Sequence, residues 1–244
     1  MNREDFRRLA LRVVPVLDLT NLEEGCDEAG ARALCEKART RFGPVAAVCL
    51  WPRFVPLAKV ALGGSDVRVA TVANFPAGAA DPDAAAREVG EAIAAGADEV
   101  DVVFPFAAPD KGEALVRACR RAAGRRLLKV ILETGALGDA AAIRRAAATA
   151  IDAGADFVKT STGKREPGAT PEAARAICEA LLEARARRRW AGLKVSGGIR
   201  SLADAAPYLA LAETMLGPEF VGPATFRIGA SKLLDSCLAA LEAA

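Results

Sequence analysis

Short runs of β-favouring apolar residues alternate along this chain with longer Ala/Leu/Glu/Arg segments of helical composition. The strand candidates are Val13–Asp18, Val45–Leu50, Val67–Ala73, Glu99–Phe104, Leu127–Glu133, Phe157–Ser161, Leu193–Ser196 and Thr225–Ile228. Helical stretches follow them at 27–40, 53–62, 82–95, 110–123, 138–153, 171–189, 201–212 and 231–242, and a short helix at 3–11 precedes the first strand. Such alternation is the pattern of βα units on a parallel sheet. Eight units in 244 residues predict a (β/α)8 barrel, a single domain over 1–244 with a short N-terminal helix. An open doubly wound sheet is the alternative, but no GxGxxG follows the first strand.

Punctuation supports these divisions. Gly43-Pro44, Gly96, Gly124, Gly154 and Gly192 stand between a helix and the next strand, where a helix-ending glycine is favoured. Asp81-Pro82 and Thr170-Pro171 each set a capping side chain before a proline, which marks a helix start. Ala-Gly-Ala-Asp occurs at 95–98 and again at 153–156, each time between a helix and a strand, so it reads as one turn solution used twice.

Composition narrows the chemistry. Apolar residues make up 52% and charged residues 26%, enough for a large core under a charged surface. The formal charge is only +2, and the longest run of one sign, Arg187-Arg188-Arg189, ends a helical segment where cations suit the dipole. Neither a nucleic-acid partner nor a membrane surface is expected. No apolar run is long enough to span a bilayer and the first residues lack a signal-peptide pattern, so a cytoplasmic location is the expectation. Six cysteines without a CxxC pair read as free thiols. Histidine is absent, which removes Ser-His-Asp and Cys-His arrangements and His-ligated metals and leaves lysine and carboxylate as the first candidates for chemistry.

Period-two alternation sorts the polar strand residues by face. Asp18 shares a face with Val14 and Val16, Cys49 with Val45 and Ala47, Asp101 with Val103, Lys129 with Ile131 and Glu133, Lys159 with Phe157 and Ser161, and Lys194 with Ser196, so all six, Lys129 and Cys49 among them as substrate-binding candidates, could line the barrel mouth. Parallel strands are ordinarily apolar on both faces, yet three consecutive strands here carry a lysine. The alternative is that each lysine points outward and carries its ammonium to solvent. Gathered at a barrel mouth, the lysines repel one another, one loses its proton near neutrality, and a neutral amine is the nucleophile that Schiff-base chemistry requires. Asp101 and Asp18 would supply carboxylates for proton transfer, or serve as ion-pair partners. Gly163-Lys164, Gly197-Gly198 and Gly229-Ala230-Ser231 follow the last three strands, where barrels commonly hold phosphate. A phosphorylated carbonyl compound is the substrate class that follows.

These residues fall in segments that resemble the deoxyribose-phosphate aldolase family over nearly the whole chain: Leu17–Thr20, Cys49–Pro56, Ala70–Pro76, Gly96–Pro105, Leu128–Gly135, Gly154–Lys164, Lys194–Arg200 and Arg227–Ser231. The resemblance implies reversible cleavage of 2-deoxy-D-ribose 5-phosphate to D-glyceraldehyde 3-phosphate and acetaldehyde, without metal or cofactor. It implies Lys159 as the imine-forming lysine, Lys194 as the group that perturbs it, and Asp101 with Lys194 in proton transfer. Phosphate would rest on Gly163, Lys164, Gly197, Gly198, Gly229 and Ser231, Cys49 would lie near the substrate, and the molecule would be a homodimer. Lys232 stands where many members have a second serine, and the tyrosine that often ends the family's chains has no counterpart in Leu-Glu-Ala-Ala. Two other readings use the same residues, a class I aldolase for a ketose phosphate and a non-catalytic sugar-phosphate binder.

Overall fold

The computed structural model describes residues 2–243. Met1 and Ala244, which the expected domain bounds and the chain's Leu-Glu-Ala-Ala end include, lie outside them. Eight parallel strands close into a barrel: β1 Leu17–Asn21, β2 Ala47–Leu50, β3 Arg68–Ala73, β4 Glu99–Val103, β5 Leu127–Ile131, β6 Phe157–Lys159, β7 Gly192–Ser196 and β8 Phe226–Ala230. Closure comes from β1, which pairs with β8 through Asp18 and Gly229 and with β2 through Asp18 and Ala47. The helices are α1 Arg3–Val13, α2 Glu28–Lys37, α3 Val55–Ala61, α4 Pro82–Ala94, α5 Gly112–Ala123, α6 Ala140–Asp152, α7 Pro171–Ala186, α8 Leu202–Leu216 and α9 Leu233–Glu242. The eight-stranded barrel expected from the alternation is therefore the architecture observed.

The caps form as their residues dictate. Asp81 accepts from the backbone N–H groups of Asp83 and Ala84 at the start of α4, and Thr170 accepts from Ala173 at the start of α7. The repeated Ala-Gly-Ala-Asp motif has one structural meaning in both places. Its glycine, Gly96 or Gly154, takes a positive φ that ends the helix. Its aspartate then accepts a hydrogen bond from the first residues of the preceding strand: Asp98 from Val69 N–H at 3.0 Å, and Asp156 from Leu128 N–H at 2.8 Å.

Outward-facing strand residues such as Val48, Val69, Val100, Val102, Leu128, Val130 and Val195 pack against the helices in one apolar layer. The lumen differs. Leu22, Ala47, Cys49, Ala70 and Val72 make a small apolar patch on the β1–β3 side, and the rest holds charged side chains interleaved with Val103, Ile131 and Phe157.

Strand bounds shift by one or two residues throughout, the expected strand Phe157–Ser161 for example ending at Lys159, and three departures have a clear cause. The expected strand Val13–Asp18 is instead the end of α1 and a 3-10 turn at Val14–Val16, because Pro15 sets a helical φ there while both valines bury their side chains below the barrel. Asp18 still points inward, but Val14 and Val16 do not share its strand face. The fifth strand stops at Ile131, since Glu133 adopts a left-handed conformation with φ 55° and opens a one-turn helix at Thr134–Leu137. Gly43-Pro44 pairs with Arg39-Thr40 in a two-residue hairpin, so it is more than a helix stop.

Candidate active site

Strand register brings the three lysines and two aspartates into the lumen. Asp101 on β4 pairs with Lys129 on β5, and Lys159 on β6 pairs with Lys194 on β7. All five side chains are buried, and Lys159 retains only 3% exposure. The outward-pointing alternative for the lysines is excluded by this burial.

Asp101 organises the group. Its Oδ2 accepts from Lys159 Nζ at 2.9 Å and from Lys194 Nζ at 2.7 Å, and its Oδ1 accepts from Lys129 Nζ at 2.9 Å. Lys194 has a second acceptor in Asp18 Oδ2 at 2.5 Å. Lys129 meets Glu99 Oε2 at 2.6 Å as well. Beneath them Arg227 donates to Asp18 Oδ1 at 2.6 Å and to Glu99 Oε1 at 3.0 Å.

The same contacts decide which groups carry charge. Burial lowers the affinity of Lys159 for its proton, Asp101 opposes this and the Lys194 ammonium reinforces it, so the amine sits below the ordinary lysine value. Burial acts on Lys194 and Lys129 in the same direction, but their carboxylates outweigh it and both are held above that value. Burial would raise Asp18 and Asp101, yet the surrounding cations hold both below the usual carboxylate range. Burying ions is costly: an apolar plug of similar volume would be neutral or more stable by ~1–4 kcal/mol. A cluster of this kind at the centre of a barrel is a mark of chemistry rather than of stability.

Above the lysines a cavity of about 420 Å³ opens at the C-terminal ends of the strands. Its walls include Lys159 together with Gly163, Lys164, Gly197, Gly198, Gly229 and Ser231, so all six expected phosphate-site residues converge with the expected nucleophile. Gly163, Gly197 and Gly198 have φ of 78°, 94° and 81°, which frees their N–H groups to turn toward the opening. Gly229 has a different reason to lack a side chain: a Cβ there would come within 3.1 Å of Lys194 Cε. Lys232 also lines the cavity, just before α9, and α9 begins without a side-chain cap. Uncapped N–H groups at a helix start suit an anion.

Five expected site residues do not line this cavity: Asp18, Asp101 and Lys194 lie in the ionic cluster that Lys159 joins, Lys129 lies deeper in that cluster, and Cys49 lies in the apolar patch. Lys129 is paired with Phe157, two residues before Lys159, and therefore lies a layer deeper, where Asp101, Glu99 and Asp18 occupy its ammonium. It does not line the cavity. Cys49 is fully buried in the apolar patch, and burial pushes its thiol up to about 11. Among the residues that sequence reasoning passed over are Glu99 and Arg227. Glu99 shares the period-two face of Asp101, and Arg227 that of Gly229, so alternation carried a signal for both. Thr162 and Glu133 were harder to find: Thr162 Oγ1 donates to Glu133 Oε2 only because the left-handed turn carries Glu133 out of its strand's alternation.

No helix among the described residues is long and apolar enough to cross a membrane. The fold resembles that of known aldolases. The apo form of a provisionally assigned deoxyribose-phosphate aldolase from Toxoplasma gondii ME49 superposes with a TM-score of 0.90 at 27% identity, covering 98% of this chain and 99% of that one. The tetrameric deoxyribose phosphate aldolase from Aeropyrum pernix superposes with a TM-score of 0.72 at 27% identity, covering 100% of this chain and 98% of the other. The sequence model of the DeoC/LacD family aldolases matches residues 16–238. With that match spanning nearly the whole barrel, the chain belongs to the DeoC/LacD family of aldolases.

Proposed function

We propose that this aldolase cleaves 2-deoxy-D-ribose 5-phosphate reversibly to D-glyceraldehyde 3-phosphate and acetaldehyde, with Lys159 as the Schiff-base lysine. The observation that carries the reading is that, of the three lysines in the lumen, the one held below its ordinary proton affinity is also the one that reaches the wall of the glycine-rich cavity. In the cleavage direction Lys159 Nζ bonds to C1 of the open-chain aldehyde, and loss of water gives a protonated imine. A base takes the proton of the C3 hydroxyl, the C2–C3 bond breaks, and its electron pair flows into the imine to give an enamine as glyceraldehyde 3-phosphate leaves. Protonation of the enamine at C2 and hydrolysis of the imine release acetaldehyde and restore the amine. Asp101 and Lys194, adjacent to Lys159 through one carboxylate oxygen, are suited to carry these protons, and Asp18 keeps Lys194 charged. The substrate phosphate fits the three glycine loops with Lys164 and Ser231, as the barrel's last loops favour.

The test is to incubate the protein with deoxyribose 5-phosphate and borohydride and to map the reduced adduct by peptide mass. An adduct on Lys159, with glyceraldehyde 3-phosphate in the unreduced control, is expected. An adduct on Lys194 or Lys129 reassigns the roles, and no adduct with no turnover favours a non-catalytic sugar-phosphate binder. The proposal takes 1–244 as one domain acting as a homodimer, which light scattering on the purified chain decides.

A further inference from the structure

Below the catalytic lysine the lumen holds three carboxylates, Asp18, Glu99 and Asp101, against four cationic side chains, Lys129, Lys159, Lys194 and Arg227. They form one connected network from Lys159 through Asp101 and Lys129 to Glu99 and Arg227. With every group ionised the buried network carries one surplus positive charge, and with one amine neutral it balances. The amine with the fewest acceptors is the one least held to its proton. Lys194 has two carboxylate oxygens and Lys129 three, whereas Lys159 has Asp101 Oδ2 alone.

Glu99 and Arg227 occupy the far end of this network. They line a separate cavity of about 640 Å³ at the N-terminal ends of the strands, with Arg68, Arg125 and Arg126, and neither lines the cavity above Lys159. Substrate in the upper cavity cannot touch them. Their side chains are nevertheless buried to within 2–4% exposure and paired with each other at 3.0 Å. From these placements we infer that Glu99 and Arg227 are positioning residues, which set the charge balance of the lumen so that Lys159 is the amine left unprotonated. The inference rests on Lys159 being the Schiff-base lysine.

The groups facing Lys159 come from every side of the barrel: Asp18 from β1, Cys49 from β2, Asp101 and Glu99 from β4, Lys129 from β5, Lys194 from β7 and Arg227 from β8, while β3 contributes only Ala70 and Val72 to the lumen. Glu133 is engaged with Thr162 outside this network, and Lys164 lies 3.8 Å from Glu23 at the rim. Within such a set, removing a far charge changes the balance without touching the substrate. Glu99→Gln deletes a negative charge and disfavours the protonated amine further. Arg227→Met deletes a positive charge, leaves three carboxylates to two other cations, and favours protonation of Lys159. Each change is worth about one pH unit at the effective dielectric of a protein interior.

The experiment measures the rate at which acetaldehyde with cyanoborohydride alkylates Lys159, by peptide mass, as a function of pH. In Glu99→Gln the acid limb of that profile is expected to move down by about one unit, and in Arg227→Met up by about one unit, which lowers the alkylation rate about tenfold at any pH on the acid side of the limb. The double variant restores the balance and is expected to return the limb to the wild-type position. A structural role alone would move both single variants the same way, through loss of folded protein, and that result or an unmoved limb overturns the inference. Should a single variant not fold, the double variant decides: a limb displaced by a full unit from wild type is fatal to the idea. Absence of alkylation at Lys159 in the wild-type protein would instead overturn the proposed function.

Discussion

Lys159 and Lys194 donate to one and the same oxygen, Oδ2 of Asp101, at 2.9 and 2.7 Å. Two ammonium groups on one oxygen repel each other, and Lys194 alone has a further carboxylate, Asp18, to hold its charge. The proton therefore stays on Lys194. Replacing it by methionine removes the neighbour that disfavours the Lys159 ammonium and leaves Asp101 to Lys159 and Lys129. The acid limb of kcat/KM is expected to shift to higher pH, and activity at pH 7 to fall roughly 10²–10⁴-fold, as for loss of an acid–base group. A pH–rate profile of Lys194→Met checks both, and a large fall without the shift would deny Lys194 its effect on Lys159.

Lys159 should destabilise the fold that uses it. Its proton affinity in the folded state is lowered, so at neutral pH the unfolded chain binds more protons and folding carries a penalty. That penalty fades as pH rises toward ~10.4, where the unfolded lysine also loses its proton. Lys159→Met is expected to raise the melting temperature at pH 7, with the gain vanishing above pH ~10.4. Lys129 is the opposite case, since its affinity is raised and its stabilisation is fully present below ~10.4. Lys129→Met would leave three buried carboxylates short of a cation and cost about 3–5 kcal/mol. Calorimetry of the two variants at both pH values separates these signs.

The barrel was legible in the sequence because its signals are local: glycine stops, capped prolines and eight apolar runs each lie within a few residues. The inward direction of Asp101, Lys129, Lys159 and Lys194 followed from alternation within regular strands. It failed where the backbone left the strand, at Pro15 and at Glu133, whose left-handed φ no propensity announces. Nor could alternation rank the lysines by depth. That Lys129 lies a layer beneath Lys159 is a property of register between β5 and β6, fixed by closure of the whole barrel.

Cys49 is the thiol nearest the ionic cluster, but burial holds it near 11 and the reactive thiolate is scarce. At pH 7 a thiol reagent is expected to modify Cys26, the only cysteine that is not fully buried, and to reach the other five on unfolding. Mass mapping after brief treatment checks the order. Rapid modification of Cys49 in the folded protein would show that the lumen opens.

The glycine loops should differ sharply in what they tolerate. A Cβ on Gly197 would stand 2.9 Å from Gly168 Cα, and one on Gly168 would stand 2.7 Å from the Gly197 carbonyl. These are backbone neighbours, so nothing flexible can yield. Gly198 has open space around its would-be Cβ and only its φ of 81° to relieve. Gly168→Ala is expected to cost about 1–3 kcal/mol by overpacking, Gly197→Ala more because strain at its φ of 94° adds to the same clash, and Gly198→Ala about 1–2 kcal/mol from backbone strain alone. Denaturant melts give the losses, and a Gly168→Ala loss well below ~1 kcal/mol would mean that the two loops are not in contact.

Lys232 lines the cavity at the start of α9, beside Ser231 and opposite Gly197 and Gly198. A phosphate resting there would meet its ammonium, and a charge-assisted contact of that kind is worth about tenfold in binding. The contribution is to the phosphoryl group, which does not react, so it should be the same in ground and transition states. Lys232→Ala is therefore expected to raise KM for deoxyribose 5-phosphate about tenfold with kcat little changed. Unphosphorylated deoxyribose offers the lysine nothing to bind, and its kcat/KM should be unaffected. If the variant loses activity equally on both sugars, Lys232 acts on the fold or on the lysine cluster and the phosphate lies elsewhere in the cavity.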